Sequence, residues 1–148
     1  MKNLYHYTES GLKNVWLDGI EIVLDDDGDE CVNIPKINAL HKAIAEAIVK
    51  KHGAMNGDEL AFLRSYMEET QEQFAQRLGY KRLQIARWES GNKIPQSIDM
   101  LVRAIVTQKK LNEDLPFDAA VKWIKGVPPE KMVIDYDDDQ YRPAVRYG

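Results

Sequence analysis

The sequence predicts a mainly α protein: a helical domain preceded by a small antiparallel β module and one helix. Three observations predict it. After Asn33, apolar residues recur at helical spacing in segment after segment, as in Leu40, Ile44 and Ile48 or Ile98, Val102 and Val106. Gly53, Gly79, Gly91 and Gly126 each follow one of those segments, where a helix is expected to stop. Before Asn33, short aromatic and branched runs alternate with Asp- and Gly-rich turns, the pattern of strands. The chain has 148 residues, 44% of them apolar, which is enough for one or two small domains with a core.

The N-terminal stretch reads as strand and turn. Leu4 to Thr8 is aromatic and alternating, and Val15 to Leu24 holds two apolar runs around Asp18-Gly19, a hairpin signal. Asp25 to Glu30 is a second turn and Glu30 to Ile34 a third short strand. The acidic turn invites comparison with a calcium loop, but it lacks the full ligand spacing and a closing Glu on a helix, so a solvated turn is expected. Cys31 is the single cysteine; it excludes an internal disulfide and suits a reducing cytoplasm. His6, His41 and His52 have no ligand spacing with it, so neither a metal nor a cofactor is expected.

Asn33-Ile34-Pro35 reads as a helix start with proline in the first turn. Ile37, Leu40, Ile44, Ile48 and Val49 then fall on one stripe, which either covers the sheet or packs on a second copy, and His52-Gly53 ends it. Residues 1–53 thus form an N-terminal module for dimerisation or partner binding. Asn56-Gly57 opens the next helix, with Leu60, Leu63 and Met67 inward and Arg64 outward.

Thr70 to Pro95 is the most informative stretch. Thr70 is a good N-cap, and Gln73 three residues later completes a capping box. Phe74, Ala75 and Leu78 mark the apolar face, and Gly79 ends the helix. A second helix follows, with Ile85 and Trp88 inward and Lys81, Arg82, Gln84 and Arg87 on its other face; Gly91 closes it. Two short helices at this spacing are the layout of a helix-turn-helix, whose second helix enters the major groove of DNA.

In Thr70-Gln71, Phe74-Ala75, Leu78-Gly79, Ile85, Trp88-Glu89, Gly91, Lys93 and Pro95, the segment resembles the Cro and lambda-repressor-like (XRE) family of five-helix DNA-binding domains. The resemblance covers roughly Asn56 to Lys109. It implies a lambda-repressor-like helix-turn-helix domain over 54–110, with base edges facing Lys81, Arg82 and Arg87. Gln71, Gln84, Asn92 and Lys93 are placed for phosphates. Lys81 departs from the pattern, standing where the family has a capping Ser or Thr; the weaker cap costs about 1 kcal/mol. The N-terminal segment, Tyr5 to Gly19, resembles the MqsA-like, antitoxin-like group of bacterial regulators, which places a short β module before such a domain. Zinc does not carry over, because the CxxC pairs that hold it in that group are absent.

Gln96 to Lys110 repeats the stripe with Ile98, Leu101, Val102, Ile105 and Val106. Phe117, Ala120, Val121 and Ile124 give a short helix stopped by Gly126-Val127-Pro128-Pro129. Within 111–148, Met132-Val133-Ile134 offers one strand, and the acidic, aromatic tail after it is expected to be disordered or an extended arm on another surface.

Net charge is −4, unevenly spread: −3 over 1–53, +2 over 54–110 and −3 over 111–148. Between 77 and 93 stand Arg77, Lys81, Arg82, Arg87 and Lys93 against Glu89 alone. No phosphate-loop, nucleophile-elbow or zinc-hydrolase motif appears, so an enzyme is not expected. No apolar run of signal or membrane-span character opens the chain, and a cytoplasmic, nucleoid-associated protein without a membrane partner is expected. The residues and the resemblance together imply a sequence-specific regulator of double-stranded DNA. It would act as an autorepressor and a homodimer on a palindromic operator, with the antitoxin of a toxin–antitoxin pair, binding a basic toxin, as the narrower form. The competing reading is a protein-binding module that reuses the fold with DNA contact secondary or lost.

Overall fold

A computed structural model describes residues 4–144 of the chain. It is mainly α with a small β module, and it divides into two compact units, Met1–Ile44 with Pro129–Gly148 and Ala45–Pro128.

The first unit holds β1 (Tyr5–His6), β2 (Val15–Asp18), β3 (Ile22–Leu24), β4 (Glu30–Val32), the start of α1 (Ile37–Val49), β5 (Met132–Asp137) and β6 (Gln140–Pro143). Its main sheet runs β1-β2-β5-β6, and it is mixed rather than antiparallel: β2 and β5 are parallel, with Val15 opposite Met132 and Asp18 opposite Asp135. The acidic segment expected as a loose arm is therefore part of the sheet up to Pro143; its last four residues lie outside the described ones. The physical reason is visible in β5. Met132, Val133 and Ile134 are consecutively buried, as in a strand covered on both faces. The tail's polar residues anchor the β5–β6 hairpin: Tyr141 donates to the Pro35 carbonyl at 2.6 Å, and Lys36 pairs with Asp139 at 2.6 Å.

The hairpin expected at Asp18-Gly19 is absent. β2 pairs with β1 and β5, whereas β3 pairs with β4 in a separate ribbon. Gly19 does take the left-handed conformation (φ 98°), and a Cβ there would collide with the Tyr136 carbonyl. The glycine marks a bend and a close backbone approach instead of a hairpin turn. The acidic turn between β3 and β4 is organised by Asp25, whose Oδ1 accepts from the backbone N–H of Asp27 and of Asp29, both at 2.9 Å.

The second unit contains the end of α1 and then α2 (Gly57–Tyr66), α3 (Gln71–Leu78), α4 (Arg82–Glu89), α5 (Gln96–Lys109) and α6 (Phe117–Ile124). Leu60, Leu63, Phe74, Ala75, Ile85, Trp88, Ile98, Val102 and Val106 form its core. Burying each large side chain contributes about 1.5–3 kcal/mol. α2 and α3 both start at capping boxes, Asn56 with Glu59 and Thr70 with Gln73. Of the four residues expected inward on α6, Ala120 and Ile124 are buried and Val121 is half-buried, whereas Phe117 is 57% exposed.

A buried polar network ties α5 to the chain entering α2. Arg103 has no exposed surface; it donates to Asp99 Oδ1 at 2.7 Å, to the Lys51 carbonyl at 2.8 Å and to the Gly53 carbonyl at 2.8 Å. Asp99 Oδ2 accepts from the Met55 N–H at 2.8 Å, and Lys51 pairs with Glu59 at 2.6 Å, both side chains buried. Arg103 thus satisfies carbonyls of the chain between α1 and α2, and it also reaches the Val49 carbonyl at the end of α1 at 3.4 Å. Among the described residues, no helix is long and apolar enough to cross a membrane.

Candidate nucleic-acid interface

The candidate site is built on α3, the turn after it, and α4. Thr70 Oγ1 accepts from the Gln73 N–H at 3.1 Å and Gln73 Oε1 accepts from the Thr70 N–H at 2.9 Å, so α3 starts where the capping box places it. Gly79 closes α3 at φ 78°, the left-handed cap. Two residues later Lys81 stands at the N-cap of α4 with extended backbone (φ −90°, ψ 150°) and no side-chain hydrogen bond to the helix. The missing cap foreseen at Lys81 is real, and a cation at this end also opposes the helix dipole.

α4 is fixed by the face it buries. Ile85 and Trp88 are in the core, and the exposed ring of Tyr80 meets Trp88 edge-on at 5.0 Å between centroids. From the other side, Gly57 at the start of α2 lies against the carbonyls of Trp88 and Glu89; a Cβ there would come within 2.5 Å of both oxygens. Only glycine lets the two helix ends approach this closely.

Lys81, Arg82 and Arg87 are exposed, whereas Gln84 is half-buried. Lys81, Gln84 and Arg87 come together with Gly79, Tyr80 and Leu83 along one cleft of about 400 Å³. Arg82 is not among the residues lining that cleft. It leans toward α3, with its guanidinium 3.4 Å from Gln71 Oε1. Asn92 and Lys93 are exposed in the loop after α4, and they too do not line the cleft.

Gln71 is half-buried and already engaged: its amide donates to Glu89 Oε1 at 3.1 Å. Glu89 is held in turn by Arg64, through Nε at 2.7 Å and Nη2 at 3.1 Å, while Arg64 Nη1 reaches the Glu69 carbonyl at 2.9 Å. Arg64 therefore faces inward, contrary to the expectation of an exposed residue. It joins α2 to the far end of α4 through a bidentate pair, the stronger geometry for an arginine and a carboxylate. Arg77, counted among the cations of this stretch, pairs with Glu69, whose hydrogen bond raises the arginine's pKa further. Among the described residues, Lys81, Arg87 and Lys93 have neither a hydrogen bond from the side chain nor an ion pair. Within residues 77–93, the positive charge without an ion-pair partner thus sits on α4, its N-cap and the loop after it.

Sequence reasoning did not single out Leu83, which lines the cleft and is 53% exposed. Its signal was an apolar residue two positions before Ile85, on the opposite side of a helix whose inward face was already assigned. The Arg64–Glu89–Gln71 chain was also missed, because the partners stand 25 and 18 residues apart and no local spacing couples them.

No protein-family model, curated protein or solved structure matches this chain.

Proposed function

We propose that the protein is a sequence-specific regulator that binds double-stranded DNA through a helix-turn-helix formed by α3 and α4. The observation that supports this reading is the outer face of α4. Arg87 and, at the N-cap, Lys81 are exposed along one side, and Arg82 is exposed toward α3, on a helix packed through Ile85 and Trp88 and against Gly57. A basic helix of this kind fits the major groove, where arginine reads guanine through O6 and N7. Gln71, Gln84, Asn92 and Lys93 flank it and are assigned to phosphates. The chain's acidic remainder keeps nonspecific attraction weak, so specificity has to come from this face.

On this reading the protein works as a homodimer on a palindromic operator and represses its own promoter. It is cytoplasmic and associated with the nucleoid. The narrower form is an antitoxin, with the exposed acidic turn of Asp25, Asp26, Asp27, Asp29 and Glu30 as the surface for a basic toxin. The test is a gel shift with the protein's own upstream promoter and with duplexes selected from random sequence. A discrete, sequence-dependent complex is expected. The same weak smear on every duplex would favour the protein-binding module.

A further inference from the structure

On the outer face of α4, an apolar side chain stands among the cations. At 100° per residue, Ile85 and Trp88 define the buried side of the helix and Leu83 lies nearly opposite them. Leu83 is 53% exposed and Tyr80 is 42% exposed, and the two share the cleft with Lys81, Gln84 and Arg87. An exposed leucine alone means little. Here it sits in a cleft whose lining carries two cations and one amide and no carboxylate. The complementary ligand is rich in acceptors, negatively charged, and bears a small apolar group. The major-groove edge of duplex DNA has these properties, and its apolar feature is the pyrimidine 5-methyl group.

Resting on the reading of α4 as a DNA-reading helix, we propose that Leu83 reads the 5-methyl group of a pyrimidine, with Tyr80 as the second wall of its pocket. Leu83 and Arg87 are four residues apart, about 6 Å along the helix. With base pairs about 3.4 Å apart, the methylated pyrimidine lies within roughly two base pairs of the guanine gripped by Arg87. Thymine and 5-methylcytosine both supply this group. The leucine contributes burial of one methyl and no hydrogen bond, so its effect is modest and local to one base position.

The experiment uses the full chain and a duplex site selected from random sequence. At each selected thymine near the Arg87-dependent guanine, thymine is replaced by uracil, which lacks only the methyl group. Wild type should bind the thymine duplex roughly fourfold more tightly than the uracil duplex at one such position. Leu83→Ala should bind the two equally, yet still prefer the selected site to a scrambled one. Leu83→Met should keep most of the distinction. Cytosine against 5-methylcytosine at the same position separates the two sources: a gain with 5-methylcytosine shows that the methyl suffices, and a gain with thymine alone identifies thymine. Wild type indifferent to uracil at every position, or Leu83→Ala retaining the distinction, overturns the proposal while leaving DNA reading intact. Failure to enrich any site overturns the reading of α4 itself, and this inference with it.

Discussion

Arg82 and Arg87 differ in what holds them. Arg87 is exposed without an ion-pair partner among the described residues, whereas Arg82 is steadied by Gln71, itself fixed by Glu89 and Arg64. On the proposed reading, Arg82→Ala or Arg87→Ala loses about 1–3 kcal/mol of binding on a selected site and relaxes one base position. Titration against single-base variants of the site measures both. Arg103 serves stability. Its removal leaves Asp99 buried beside open carbonyls, so Arg103→Ala should cost about 3–5 kcal/mol, read as a lower urea midpoint. His41 gives a pH dependence. Its Nε2 lies 3.0 Å from the Tyr7 hydroxyl, and burial lowers its pKa. The folded protein then binds that proton more weakly than the unfolded chain. This group's contribution is complete above its unfolded pKa, about 6.5, and falls as pH drops through that value toward the folded one. NMR titration should place the His41 midpoint below 6.5, and a midpoint above it would reverse the sign.

At the scale of elements, the legible parts were those with local causes. The capping box at Thr70, the stop at Gly79, the inward pair Ile85 and Trp88 and the missing cap at Lys81 all follow from residues within one or two helical turns. What escaped depends on distant chain. β2 finds its parallel partner in β5 near the other end of the sequence, so the turn signal at Asp18-Gly19 pointed to the wrong neighbour. Arg64 looked solvent-facing because Glu89 lies 25 residues away. The cleft's cations could be picked from the sequence, and the outward place of Leu83 follows from helical spacing once Ile85 and Trp88 are inward; the edge-on contact of Tyr80 with Trp88 needed the structure. Two substitutions test these elements. Lys81→Ser should supply the absent cap and stabilise the protein by about 1 kcal/mol while weakening DNA binding. Gly57→Ala should force α2 away from the end of α4 and destabilise by about 1–3 kcal/mol, with loss of binding following the loss of fold.

For the whole molecule, the β5–β6 hairpin changes what a truncation means. Deleting 130–148 removes the strand beside β2 together with the Lys36–Asp139 and Tyr141–Pro35 ties. The first unit should then lose its cooperative unfolding transition, which a trimmed arm would leave untouched. On the proposed reading, light scattering should find a homodimer, because one short helix in the groove would cover only a few base pairs and two-fold pairing would double the site. The central claim is that α4 reads DNA sequence, and a salt-resolved competition titration tests it most directly. Wild type and Lys93→Ala are titrated with a selected duplex and a scrambled one over a range of salt. The account predicts that wild type prefers the selected duplex by about a thousandfold or more. Lys93→Ala should weaken both duplexes alike and reduce the salt slope by about one. Equal affinity of wild type for the two duplexes at every salt concentration would contradict it.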